Sequence, residues 1–196
     1  MAKLHKSTEV SGTAQMALVA SNAEIQPALH SGISSACWYV AYTCPRHEKR
    51  VAQQLQDRGI PSFLPVYRSI RRWKDRRKEL ELPLFPGYCF VQTDLEHKAR
   101  LLQLPGVVNL LMFQGKPAPV SSQEMGSLYR SLQGASVQPH PYLKAGKRVR
   151  VKRGPMAGLE GVFVRWRDRS RIVISITLIQ RSIAVEVDEA DTEVIF

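Results

Sequence analysis

Pro83-Leu84-Phe85-Pro86-Gly87-Tyr88-Cys89-Phe90-Val91 is the stretch from which the rest of the chain is best read. Pro86 and Gly87 interrupt the run, and beyond them Tyr88 and Phe90 alternate as on one face of a strand. Just upstream lies Arg68-Ser69-Ile70-Arg71-Arg72-Trp73-Lys74-Asp75-Arg76-Arg77-Lys78, seven cations against one acid. A cationic ribbon leading into an aromatic-faced strand suits a protein that sits on nucleic acid while gripping an apolar partner surface. A core strand behind a solvated charged hairpin gives the same local pattern, because buried aromatics are usually just core.

The remainder of the chain favours the first. The 196 residues carry 28 Lys and Arg against 17 Asp and Glu, a formal charge of +11. Such an excess points to phosphate-bearing partners, whose condensed counterions are released on binding. No amphipathic basic helix stands out, so nucleic acid fits better than an anionic membrane. No apolar run is long enough to span a bilayer. Cys37, Cys44 and Cys89 lack the paired spacing of a zinc site or a disulfide framework, and fit free thiols in a reducing cytoplasm. The five histidines are scattered, so neither a metal nor any other cofactor is expected.

Residues 1–36, rich in Ser, Ala, Gln and Thr with no sustained hydrophobic period, read as a disordered extension. Order is expected from Cys37, with Trp38-Tyr39-Val40-Ala41-Tyr42 as a buried strand. Pro45 is expected to open a helix whose apolar stripe is Val51, Ala52 and Leu55 and which Gly59 ends. Ile60–Tyr67, broken by Pro61 and Pro65, reads as an edge strand. Gly87–Gln92 follows as a strand, Leu95–Leu104 as a short helix and Val107–Leu111 as a strand. Ser121 or Ser122 caps a last helix, with Glu124 and Leu128 at suitable spacing. Strands and helices in this order make an α+β sandwich over residues 37–133.

Residues 134–143 read as a flexible linker, by their Gly, Pro and polar content. Beyond it, from 144 to 196, Val149 and Val151, Val162 and Val164, Ile172, Ile174 and Ile176, and Val185 and Val187 alternate, as in a small β-barrel. Its first hairpin runs Gly146-Lys147-Arg148-Val149-Arg150-Val151-Lys152-Arg153-Gly154-Pro155-Met156-Ala157-Gly158-Leu159-Glu160-Gly161. Gly154-Pro155 turns the chain, Gly158 is expected to allow close backbone approach, and Gly161 a kink into the next strand. The barrel's end turns acidic, with Glu186, Asp188, Glu189, Asp191 and Glu193. Those acids either form a second face or pair with the basic strands.

That hairpin resembles a KOW motif, on Gly146, Val149, Val151, Gly154, Pro155, Gly158 and Gly161. With Trp38-Tyr39, Pro83–Val91 and Pro105-Gly106-Val107-Val108 in the same order, residues 37–196 resemble the NusG family of transcription elongation factors. Thr43-Cys44-Pro45-Arg46-His47-Glu48-Lys49, Arg72–Lys78 and Pro83–Tyr88 look most like its specialised paralogues of the UpxY, LoaP and RfaH type. The resemblance implies an NGN-type α/β sandwich joined to an SH3-like KOW barrel. It implies docking on the clamp helices of the largest subunit of bacterial RNA polymerase, bridging of the nucleic-acid cleft, and reduced pausing or termination on dedicated long operons.

Carried onto this chain, the resemblance places Trp38, Tyr39, Phe85, Tyr88 and Phe90 around the polymerase-binding pocket. Arg46, His47 and Arg50 would face the upstream fork or non-template strand. Arg71, Arg72, Lys74, Arg76 and Arg77 would reach upstream DNA as a hairpin. The barrel would recruit Rho, a ribosomal protein or nascent RNA. No phosphate loop, dinucleotide loop or nucleophile-base signature is present, so no catalysis is expected. The competing readings are a general RNA- or ribosome-binding KOW protein and a housekeeping NusG.

Overall fold

The β-branched and aromatic run at the start forms β1 (Cys37–Thr43), and its alternating side chains set the layers of the first domain. The computed structural model describes residues 36–196 apart from 73–75, 134–135, 144, 167–168 and 196, with residues 71, 72 and 166 described by backbone alone. The expected extension, except for Ala36, lies outside the described residues.

Along the first domain, β1 is followed by α1 (Glu48–Asp57), β2 (Ser62–Phe63), the hairpin β3 (Val66–Arg72) and β4 (Arg77–Pro83), and β5 (Tyr88–Thr93). Then come α2 (Lys98–Leu102), β6 (Val107–Leu110), a small hairpin of β7 (Met112–Phe113) and β8 (Lys116–Pro117), and α3 (Ser122–Ser131). The sheet order is β2-β5-β1-β6, all antiparallel. Tyr39 and Ala41 of β1 and Cys89 and Val91 of β5 face α1, packing on Val51, Ala52 and Leu55. Val40, Phe63 and Phe90 face the other way and are covered by Met125 and Leu128 of α3. Helices on both faces of an antiparallel sheet make the expected α/β sandwich.

The single strand expected over Ile60–Tyr67 divides, β2 joining the four-stranded sheet and β3 the hairpin, and three further boundaries depart from the sequence expectation. Pro45 does not open α1, because Arg46 takes a left-handed conformation (φ +65°) that a helix cannot hold; the helix starts at Glu48. Leu95 does not open α2. Asp94 Oδ1 accepts from the backbone N–H of His97 (2.9 Å), a local turn that competes with helix, and that N–H holds the Asp94 carboxyl below its usual range. The third lies in the stretch expected as linker. Val137–His140 forms β9 and pairs with a barrel strand, with Val137 buried in the core. One apolar residue beside two prolines carries little strand signal, and an edge position tolerates Pro139.

The C-terminal domain contains β10 (Arg148–Val151), β11 (Glu160–Trp166), β12 (Arg169–Ile176), β13 (Arg181–Glu186) and β14 (Thr192–Val194). Its six-stranded antiparallel order is β14-β10-β11-β12-β13-β9. Val149, Val151, Leu159, Ile172, Ile174, Ile176, Ile183 and Val185 fill one core. Ahead of this core the two hairpin glycines exchange their expected roles. Gly158 is needed for its φ of +80°, with open space where a Cβ would stand. Gly161 is needed for close approach: a Cβ there would overlap Ile172 Cγ2 and come within 2.6 Å of Val173 O.

Gly161→Ala is therefore expected to destabilise the C-terminal domain by about 3 kcal/mol, the upper part of the usual overpacking cost. Gly158→Ala should cost about 1 kcal/mol, the penalty for a left-handed non-glycine residue. Urea denaturation of the two variants checks the order. The apolar cluster under α3 continues into this domain, and Thr177 N–H donates to Glu124 Oε1 (2.9 Å). Glu124 also completes the expected capping box with Ser121 at the start of α3.

Candidate functional site

Phe85-Pro86-Gly87-Tyr88 is a tight turn between β4 and β5. Tyr88 N–H donates to Phe85 O (3.1 Å), and Gly87 sits at φ +85°, the combination of central Pro and Gly that a type II turn takes. The Gly87 peptide groups are held on both sides. Its N–H donates to Glu48 Oε1 of α1 (2.7 Å), and its carbonyl accepts from Thr43 N–H of β1 (2.8 Å).

Leaving the turn, Tyr88 lies opposite Tyr42 across β5 and β1, with ring centroids 5.8 Å apart. Tyr42 is 42% exposed and Tyr88 is half-buried, next to exposed Pro86. Trp38, half-buried, falls on the same face of β1 by the two-residue alternation. Beneath this patch Phe85 and Phe90 meet edge to face at 5.8 Å. Both are fully buried, at 1% and 0% exposure. They are the floor of the patch, not its contact surface. Tyr39 is placed elsewhere: the same alternation turns it to the opposite face, where it is buried against α1.

Cationic groups flank the aromatic patch. Arg46 and Arg50 are exposed at the start of α1. His47 is half-buried, its Nδ1 fully buried with no protein hydrogen-bond partner. The ring packs so closely on Gly106 that a Cβ there would stand 2.9 Å from Nδ1, so His47 belongs more to the packing than to an open surface. Lys49 Nζ lies 3.5 Å from Glu81 Oε2 and ties α1 to the β3–β4 hairpin.

Charge is graded along that hairpin. Near the sheet, Arg68 is opposite Glu81 and 3.3 Å from Glu79. Further out, Arg71 is opposite Lys78 and Arg72 opposite Arg77. By register the outer end of the hairpin thus gathers four basic residues, Arg71, Arg72, Arg77 and Lys78. Arg76 and Arg77 are exposed. Lys74 lies outside the described residues.

In the C-terminal domain the acids of 186–193 pair with basic strands. Glu186 bonds Arg169 (2.9 Å), Glu189 bonds Arg165, and Glu193 lies 3.8 Å from Arg150. Three of the acidic end's five acids are thus paired with arginines of the same domain. Cys89 is buried and its thiol is pushed up to about 12, first by burial and then by the Glu48 carboxylate, which keeps it protonated and inert. Among the described residues no His, Cys, Asp and Glu cluster could hold a metal, and no helix is long and apolar enough to cross a membrane.

Two parts of the site have no place in the sequence expectation. Tyr42 ended the predicted first strand, and carrying the alternation from Trp38 to that strand's last residue would have found it. Glu48 reads as a surface acid, since nothing local announces that a residue 39 positions away will bury it. The exposed apolar pair Met112 and Phe113, on β7, was likewise not anticipated.

The first domain thus presents the aromatic pair Tyr42 and Tyr88 and a hairpin whose outer end carries the exposed cations Arg76 and Arg77. The family model described as transcription termination factor NusG matches residues 36–129, the domain that carries this surface. Two transcription termination/antitermination proteins NusG, from Vibrio vulnificus and Escherichia coli K12, are each 28% identical over 172 residues. Each alignment covers 80% of this chain and 94% of the relative. A solved structure of Thermotoga maritima NusG aligns with 82% of this chain and 98% of its own, at a TM-score of 0.49 and 23% identity. By the matched model, residues 36–129 form a NusG-family domain, and most of the chain is similar to transcription termination/antitermination proteins NusG over nearly their whole length.

Proposed function

We propose that this protein is an elongation and antitermination factor that docks on bacterial RNA polymerase through the Tyr42–Tyr88 patch and serves dedicated long operons. Its target is the apolar tip of the clamp helices in the largest subunit. The β3–β4 hairpin lies along upstream DNA, with Arg46 and Arg50 near the displaced strand. The residue spans 37–133 and 144–196 act as the docking and recruiting domains, the second for Rho, a ribosomal protein or nascent RNA. No covalent chemistry is needed, because a bound factor shifts paused and active populations by its differential affinity for them.

The observation that carries the reading is the pairing of cation with cation at the hairpin's outer end. The register concentrates positive charge at one end of the hairpin, a field that suits a polyanion such as duplex DNA. The test is Arg71→Glu/Arg72→Glu/Arg77→Glu, titrated against elongation complexes with and without an upstream duplex. The variant should lose affinity only where the duplex is present. Its salt dependence should flatten by about three units in log–log slope, close to one for each phosphate no longer neutralised. Equal affinity of wild type and variant for both complexes would remove DNA from the account.

A further inference from the structure

We infer that Glu48 is the positioning residue of the docking surface: it touches no partner, and sets the Phe85–Tyr88 turn from which the Tyr42–Tyr88 patch is built. This rests on the docking role proposed above.

Glu48 is 5% exposed, an unusual place for a carboxylate, which is rarely buried without a partner. Two features of the fold compensate the burial. The residue opens α1, where the helix amino terminus favours negative charge. Its Oε1 receives the Gly87 N–H at 2.7 Å, the short distance of a charge-assisted bond. The bond joins elements 39 residues apart.

The Gly87 peptide groups cannot drift while both are held, one by Glu48 and one by Thr43 N–H. On the remaining side stands the Tyr42 ring, 3.6 Å from where a Gly87 Cβ would be. The next residue is Tyr88, whose ring meets Tyr42. Glu48 therefore fixes the turn, the turn fixes Tyr88, and Tyr88 and Tyr42 form the surface. Lys49, the neighbouring residue, reaches Glu81 of the hairpin. One turn of helix thus ties the aromatic patch to the cationic hairpin.

Two substitutions separate hydrogen bonding from charge. Glu48→Gln keeps an acceptor oxygen at the same reach and discards the charge. Glu48→Asp keeps the charge at the helix start, and so the fold, but is one methylene too short to reach Gly87. Both full-length variants, checked for wild-type thermal unfolding, are titrated against purified bacterial core RNA polymerase. In parallel, amide hydrogen exchange at Gly87 and the Tyr42–Tyr88 ring contact are followed by NMR. Glu48→Gln should bind within about threefold of wild type with Gly87 still protected, and Glu48→Asp should lose about tenfold, the effect of one charge-assisted bond, with Gly87 exchanging freely and the ring contact loosened.

The opposite order would show that charge, not position, is what Glu48 supplies. Unchanged Gly87 protection in a folded Glu48→Asp would equally overturn the inference. If wild type does not bind polymerase at all, the proposed function fails, while Gly87 exchange and the ring contact still decide whether Glu48 sets the turn.

Discussion

Phe90→Ala will remove much of the first domain's margin of stability, about 3–5 kcal/mol, the usual cost of emptying a phenylalanine site in a core. Phe90 is 0% exposed. It meets Phe85 edge to face and Phe63 across the strand pair, and lies on the sheet face that α3 covers. A chemical-denaturation midpoint well below that of wild type, with an unchanged slope, is the expected result. A loss under about 1 kcal/mol would mean that α3 does not seal this face. The burial has a practical consequence: weaker polymerase binding by a Phe90 variant reports stability, not docking.

Tyr42→Ala/Tyr88→Ala carries the opposite signature. Tyr42 is exposed and Tyr88 half-buried over a floor of Phe85 and Phe90 that stays intact, so the fold should lose much less than on emptying the Phe90 site. If each ring is an anchor of about 2 kcal/mol, the pair lowers polymerase affinity at least about a hundredfold, allowing for overlap between neighbours. Equilibrium titration against core polymerase, with thermal unfolding measured on the same samples, separates the two effects. Wild-type affinity in the folded double variant would place the docking surface elsewhere, with exposed Met112 and Phe113 the next surface to test.

Most of the architecture was legible because it rests on local, periodic signals. β1, β5 and the barrel strands alternate, Gly59 stops α1, and Ser121 with Glu124 boxes the start of α3. What failed needed information from far along the chain. β9 exists because β13 offers an unpaired edge, which four residues with one proline among them and another directly after do not reveal. Arg46, forced into a left-handed turn, delays the helix that Pro45 suggested. At the site, residue type pointed to the right stretch but not to the right atoms. Phe85, Tyr88 and Phe90 are three aromatics within six positions, yet the turn at Gly87 leaves only the tyrosine at the surface. Glu48 and Tyr42 became visible only once α1, β1 and the turn were brought together.

Association of this chain with RNA polymerase is tested most directly by titrating labelled full-length wild type against purified bacterial core enzyme. Saturable one-to-one binding that unlabelled wild type displaces, and that Tyr42→Ala/Tyr88→Ala does not displace at matched concentration, is the predicted result. A folded wild type that ignores polymerase yet binds ribosomes or bare RNA would contradict the account and point to a general RNA-binding role for the C-terminal domain.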